Sequence, residues 1–159
     1  MKPIKQLVPD LQKAIALGSQ AAASELSFQI RDQGPYWTGT FYESIRVVGG
    51  NQQIARNVQP PTDIPKEANS RPNTTAVPAP TPMSINLKNN KQLMYVIGSA
   101  ISSEDYVNIS CDLKPQSKAF PAITNRPAEK NWFTMYMRSN QINKDIEFKF
   151  KDSMKRAGF

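Results

Sequence analysis

The chain has 159 residues, a formal net charge of +7, one cysteine and no histidine. This length suits a single domain with one core, and we expect residues 1–159 to form it. The absence of histidine excludes triads that use an imidazole base, the helical zinc-protease motif and imidazole metal centres, while a lone cysteine excludes internal disulfides and multi-thiolate clusters. The positive charge favours anionic neighbours such as nucleic acid, an acidic protein surface or anionic lipid.

The first predicted element is a long amphipathic helix. Its apolar residues recur at spacings of four and seven: Leu7, Leu11, Ile15, Ala22, Leu26 and Ile30. Pro9 fits a first helical turn, so we predict a helix over residues 9–32, about 36 Å long. A helix of that length exceeds what a small core covers. Small residues such as Gly18 would let another backbone approach, from the same subunit or from a neighbour.

A turn and a strand follow this helix. The structural turn is predicted at Gly34, Pro35, Thr38 and Gly39. Proline disfavours the α conformation in the residue before it, and glycine tolerates the backbone angles of a helix C-terminal cap, so the helix should end at Gly34. Thr40 is expected to begin one helical turn. The β-branched residues after it predict a strand: Ile45, Val47 and Val48.

Residues 59–90 form a proline-rich stretch. They hold seven of the thirteen prolines: Pro60, Pro61, Pro65, Pro72, Pro78, Pro80 and Pro82. Ordering such a stretch costs more entropy than its small apolar surface returns, so we expect an extended loop or arm within the domain. Two roles remain open: an inert linker, or a partner-binding arm that lies across another protein.

Two further strands and a second long helix are predicted after the arm. Residues 93–97 are apolar throughout, which is typical of a covered strand, and residues 106–111 form the next strand, with Cys111 as a buried structural thiol. Residues 98–105 should form a turn, and residues 120–123 a short apolar segment bent by proline. A four-residue apolar spacing predicts a helix over residues 128–156, although residues 146–151 alternate as a strand would.

Trp132 and Phe133 begin the apolar face of this last helix, and we expect them to anchor it in the core. The predicted fold class is therefore α+β. Long N-terminal and C-terminal helices pack on a small, mostly antiparallel sheet, with a long proline-rich loop or arm.

Candidate reactive groups are few. Glu104 and Asp105 are adjacent, and in a loop their side chains would point to different sides. No glycine-rich phosphate cradle is recognisable. We therefore expect no catalytic residue, no metal and no cofactor, and not an enzyme. A small enzyme built on carboxylates stays as an alternative, and it would need two acids such as Glu43 and Glu104 in one pocket.

The C-terminal segment is basic. Its candidate DNA-facing residues are Arg138, Lys144, Lys149 and Lys151. Positive charge alone contacts phosphates without reading sequence, and no base-reading module is recognisable, so any DNA contact would be non-specific. The alternative is a solvated helix face with ion pairs four residues apart, Asp145 with Lys149 and Asp152 with Arg156.

One motif and the order of the elements carry a resemblance. The motif is Gly-Pro-x-x-Thr-Gly-x-x-x-x-Ser-Ile, from Gly34 to Ile45. A strand at Tyr95, a Tyr-Val pair at Tyr106 and a closing helix introduced by Trp132 follow it. Together these resemble the tail-completion, or neck, protein family of tailed bacteriophages. In that family the Thr-Gly turn is structural, and no catalytic residue is carried over.

The resemblance implies a ring, expected to be a hexamer, in the neck or tail of a virion. Its other partners would be phage neck, connector and tail proteins, and passing DNA would be contacted non-specifically. No apolar run approaches the roughly 20 residues that cross a bilayer, so we expect no membrane contact and synthesis in the host cytoplasm. Tail completion, tail terminator and other connector roles stay open. So does a basic, non-specific nucleic-acid-binding protein.

Overall fold

The computed structural model describes residues 3–34, 39–49, 52–60, 94–112 and 131–159. These ranges contain five helices and two strands. In chain order they are α1 Ile4–Gln33, α2 Thr40–Ser44, β1 Ile45–Gly49, β2 Tyr95–Ser99, α3 Glu104–Asp112, α4 Trp132–Arg138 and α5 Asn140–Arg156. The α+β class is confirmed. The arm beyond Pro60 and the segment 120–123 lie outside the described residues.

Helix α1 begins at Ile4, earlier than predicted, and contains Pro9 without interruption. Its buried positions are mostly small: Ala14, Ala16, Gly18, Ala22 and Ala23. They allow α5 to approach closely, since a Cβ built on Gly18 would lie 2.9 Å from the ring of Phe150. Helices α1 and α5 form the main helical pair of the described chain.

Strands β1 and β2 form a two-stranded antiparallel sheet in which Ile45 pairs with Ser99 and Gly49 with Tyr95. The β-branched residues of β1 give it the strand preference that the sequence indicated. Beyond β2, Val58 makes a parallel bridge to Ile101.

The core lies where the sheet, the C-terminal half of α1 and the helices α2 to α5 meet. Its buried cluster consists of Ile30, Phe41, Ile45, Ile101, Tyr106, Trp132, Tyr136 and Ile142. Half-buried residues pack against it, among them Leu26, Val107 and Cys111. Cys111 is therefore only partly buried, where full burial was predicted.

The prediction of a strand over residues 106–111 is wrong, because these residues lie in α3. Tyr106 and Ser110 are both buried, and their spacing of four residues matches one helical face. Ser103 starts the helix, since its Oγ accepts a hydrogen bond from the Tyr106 amide over 3.3 Å. Consequently the predicted turn over residues 98–105 is also too long: β2 continues to Ser99 and α3 begins at Glu104.

The prediction of one continuous C-terminal helix is also wrong. Ser139 has an extended backbone (φ −80°, ψ 151°) and separates α4 from α5. Its amide and its Oγ both donate to the carbonyl of Tyr136, over 3.0 and 2.7 Å. Serine competes for backbone groups in this way, which favours a helix end over a helix interior.

Within the described ranges, no helix is both long enough and apolar enough to cross a bilayer.

Candidate functional site

Gly34, the residue that follows α1, lies in close contact with the core. Gly34 has an extended backbone (φ −69°, ψ 163°), as expected before proline, and its amide donates to the carbonyl of Ile30 over 3.1 Å. These angles suit any residue, so the predicted reason for glycine was wrong. A Cβ at Gly34 would lie 2.8 Å from Phe41 Cε1 and 3.1 Å from Trp132 Cζ2. Glycine is needed here because the core presses against its backbone.

Gly39 does need its conformational freedom. Its φ of 87° is left-handed, and its carbonyl accepts the Glu43 amide at the start of α2. The other two residues of the predicted structural turn, Pro35 and Thr38, lie outside the described residues.

Arg31 joins α1 to α2, and sequence reasoning did not identify it. The side chain is only 7 % exposed, and its Nε donates to the carbonyl of Tyr42 over 2.7 Å. Its guanidinium carbon also lies 4.1 Å from the centre of the Tyr42 ring, a cation–π contact. Burial lowers the pKa of Arg31. The one feature of the sequence that could have identified Arg31 is its position, because it directly follows the buried Ile30 on a predicted helix.

Ser44, the serine of the Gly34–Ile45 motif, joins α2 to the sheet. It is fully buried, its Oγ donates to the carbonyl of Phe41 over 2.7 Å, and it lies 2.8 Å from Ser99 Oγ. Ser99 Oγ in turn accepts the Ile101 amide over 3.2 Å. A small hydroxyl is thus suited to this place, because buried polar groups need partners.

Trp132, the first residue of α4, contacts both α2 and α3. It is buried, and its Nε1 donates to the carbonyl of Ser110 over 2.8 Å. Its ring meets Phe41 edge-to-face with centroids 6.2 Å apart. Phe133 is half-buried, with its ring 5.6 Å from that of Trp132. The described residues of the motif therefore serve the scaffold, and their side chains form no reactive cluster.

The candidate DNA-facing residues do not form one surface. Lys149 is ion-paired across the helix interface with Glu25, over 3.2 Å, whereas Lys151 pairs with Glu147 on the outer face of α5. Arg138 and Lys144 are exposed. The outer face of α5 therefore presents Lys144 and Lys151, with Phe148 between them and 67 % exposed.

Only one of the two predicted ion pairs is present. Arg156 pairs with Asp152 over 2.8 Å. Asp145 instead accepts the hydroxyl of Tyr136 over 3.0 Å and the side-chain amide of Gln141 over 2.7 Å. Burial, followed by the contact with Asp145, raises the pKa of Tyr136.

The first ten residues of α1 extend beyond the packed body of the molecule. Ile4 is 80 % exposed, and three further apolar side chains on the same helix face are also exposed: Leu7, Val8 and Leu11. We call these four residues the apolar stripe. Residues 4–9 and 11–13 are all exposed, and burial along α1 begins at Ala14.

A cleft of about 650 Å³ runs between α1 and the C-terminal half of α5. Its apolar lining on α1 comes from Leu17, Ala21 and Phe28. The polar lining includes the ion pair of Glu25 with Lys149 and that of Asp152 with Arg156. We call this the α1/α5 cleft.

Glu43 and Glu104, the two acids that a shared catalytic pocket would need, are both exposed. Glu43 lies on the surface of α2, and Glu104 is at the start of α3, 4.0 Å from Arg56. Among the described residues, no group of three or more histidine, cysteine, aspartate or glutamate side chains is placed to hold a metal ion. Three surface features of the described chain are considered further: the apolar stripe, the α1/α5 cleft and the outer face of α5.

We compared the chain with protein-family models, with curated proteins and with solved structures, and none of these comparisons gives a match.

Proposed function

We propose that this chain is a structural, non-enzymatic subunit of a bacteriophage neck. Its copies assemble into a ring, expected to be a hexamer, that completes the tail or joins it to the head connector and lets DNA pass. The observation that carries the proposal is the apolar stripe on α1, whose four side chains stay exposed in the single chain. Exposed apolar groups on one face mark a surface for another protein.

The motif that resembles the neck family gives further support. The core packs against Gly34, Gly39 has a left-handed backbone before α2, and Ser44 joins α2 to the sheet, which supports the structural role that the family resemblance implies. A ring also gives a long helix such as α1 an intersubunit surface that a single copy lacks.

The experiment is native mass spectrometry of the purified protein, alone and together with the purified products of the genes next to its own. We expect a closed oligomer, alone or on the partner, and electron micrographs of it should show rings. A protein that stays monomeric under both conditions would overturn the proposal.

The outer face of α5 favours a second candidate, a basic protein that binds nucleic acid without sequence specificity. Lys144, Lys151 and Lys155 lie on this exposed face around Phe148, and lysines with an aromatic side chain among them suit a phosphate backbone. This candidate predicts that the monomer binds duplex DNA with a strong salt dependence. The neck role predicts weak binding before assembly.

A matched pair of variants separates the two candidates. Replacing Lys144 and Lys155 by Gln removes positive charge from the outer face, and replacing the exposed Gln141 and Asn143 by Ala changes the same helix without altering charge. If the monomer binds DNA, only the lysine variant should lower the affinity and the slope of affinity against salt. Equal binding by both variants would exclude the outer face of α5 as the contact.

A further inference from the structure

The apolar stripe cannot be covered by the α1/α5 cleft of its own molecule. The stripe ends at Leu11, the apolar lining of the cleft begins at Leu17, and both belong to the uninterrupted helix α1. A straight helix cannot fold back to place its first turns against its own later turns. The stripe can therefore reach such a cleft only on another chain.

The stripe and the cleft are matched in length. Ile4 and Leu11 are about 10 Å apart along the helix axis, whereas the cleft from Leu17 to Phe28 spans about 16 Å at 1.5 Å per residue. Two turns of helix therefore fit along three turns of cleft wall. Ala21, in the middle of this wall, has a small side chain that lets a second helix approach closely.

Charge also permits the contact. Lys5 and Asp10 flank the stripe on opposite sides of α1, and the cleft carries two acids and two bases in neutralising pairs. The cleft therefore neither attracts nor repels a helix with one positive and one negative flank. The apolar contact then decides which surfaces pair.

We infer that the apolar stripe of one copy docks into the α1/α5 cleft of a second copy. The inference rests on the proposed ring and names the surfaces that join its adjacent subunits. Because stripe and cleft are different surfaces, the contact can repeat head-to-tail from one copy to the next, and it closes a ring where the rotation between copies divides a full turn.

The expected contact area limits the strength of one such contact. Half the surface of a ten-residue helix is roughly 300 Å², below the roughly 800 Å² per partner of a standard interface. One contact is therefore weak. A closed ring gives every subunit two contacts, so association should be cooperative and concentration-dependent.

Disulfide trapping of singly substituted proteins tests the docking. In a Cys111→Ser background, we would mix Leu7→Cys protein with Ala21→Cys protein under mild oxidation. We expect heterodimers of these two proteins to form at least about tenfold faster than Leu7→Cys homodimers. The matched control is Gln6→Cys, on the opposite side of α1 from the stripe, which should cross-link poorly with Ala21→Cys.

Two results would overturn the docking. Faster Leu7→Cys homodimers would mean that two stripes pair with each other, and heterodimer formation no faster than in the Gln6→Cys control would mean that the stripe has another occupant. The mass measurement is independent of this test. A ring without the Leu7–Ala21 cross-link rejects only the docking, whereas a cross-link in a protein that never closes a ring rejects only the proposed neck role.

A charge substitution gives a readout without cysteine chemistry. Leu7→Asp should weaken self-association by at least about tenfold, because a carboxylate would enter an apolar contact. Gln6→Asp adds the same charge in the same helical turn and should change association little. Equal association constants for both variants in sedimentation equilibrium would overturn the docking.

Discussion

Gly34 lies where α1, α2 and α4 meet. An added Cβ would press on Phe41 Cε1, on the Ile30 carbonyl and on Trp132 Cζ2, at 2.8, 2.9 and 3.1 Å. We predict that Gly34→Ala lowers the free energy of unfolding by about 1–3 kcal/mol through overpacking. Urea denaturation measures it.

The control for Gly34 is Gly98→Ala. Among the described residues, the new Cβ there would meet only the Cδ1 of Ile54, at 3.2 Å, the end of a side chain that can move. A loss at Gly98 as large as that at Gly34 would contradict the close-contact explanation.

Trp132 is the aromatic residue through which α4 contacts the motif. It is 5 % exposed and touches Phe41 with its ring edge. Trp132→Ala should cost about 3–5 kcal/mol in unfolding free energy, as expected for a buried aromatic side chain. Phe133→Ala, at a half-buried neighbour, should cost less. A cost below about 1 kcal/mol for Trp132→Ala would place this side chain on the surface in solution.

Tyr136 makes stability depend on alkaline pH. Its folded-state pKa is raised above the ordinary value of 10.0, by burial first and then by its contact with Asp145. The unfolded chain therefore loses this proton at lower pH than the folded chain. The contribution of Tyr136 to stability is fully present below pH 10.0 and declines as pH rises above it.

Ultraviolet titration of tyrosinate checks this prediction. The phenols of Tyr95 and Tyr136 should both ionise late in wild-type protein, because burial raises the pKa of each, and Tyr136→Phe should remove one phenol from that late phase. The same variant should lose about 1.5 kcal/mol at neutral pH with the hydrogen bond to Asp145. A titration unchanged by Tyr136→Phe would contradict the assignment.

At the scale of elements, the pairing of α1 with α5 depends on Gly18. Alanine at a helix interior is favoured over glycine by about 1 kcal/mol, but here its Cβ would lie 2.9 Å from the Phe150 ring. We therefore predict opposite signs in two backgrounds. Gly18→Ala should destabilise the wild-type chain and stabilise a Phe150→Ala chain.

A double-mutant cycle from denaturation curves gives the coupling between the two sites, expected at about 1–2 kcal/mol for residues in contact. Additive effects would mean that α5 is not held against Gly18.

Elements with local signals could be predicted from the sequence. The long apolar periodicity predicted α1, Thr40 predicted α2, and the run of β-branched residues predicted β1. Helix α3 was missed because Tyr106 to Cys111 is β-rich in composition, and only the cap at Ser103 and the buried Ser110 favour a helix. The end of α4 was missed because apolar spacing continues across Ser139, whose hydrogen bonds to Tyr136 decide the break.

The candidate site was predictable only in part, because burial is a tertiary property. The turn glycines were identified, but the contacts that require Gly34 come from Phe41 and Trp132, which are distant in sequence. Leu7 and Leu11 have the spacing of core residues, yet both are exposed, because burial along α1 begins only at Ala14. Similarly, sequence grouped Lys149 with Lys151, although Glu25 on α1 draws only Lys149 inward.

For the whole molecule, two kinds of surface have to be distinguished. The stripe and the cleft are the surfaces proposed to make contacts between copies, whereas the proline-rich arm at residues 59–90 is the segment proposed to reach a neighbouring subunit or another neck protein. Its seven prolines and its few apolar side chains suit an extended chain that binds by lying along a partner. Assembly with a different protein should therefore depend on the arm more than self-association does.

Replacing residues 61–90 by an equal length of Gly-Ser repeats tests this. The chain length is kept, so the fold should remain, with an unchanged circular dichroism spectrum and unfolding midpoint, while binding to the purified neighbouring neck protein falls. The same replacement restricted to residues 61–70 is the graded control and should retain part of the binding, because most of the prolines lie beyond it. Unchanged neck assembly by the full replacement would refute a partner-binding arm and leave an inert linker. Loss of the fold would also contradict the arm hypothesis, because residues that only reach outward to a partner should contribute little to the stability of the core.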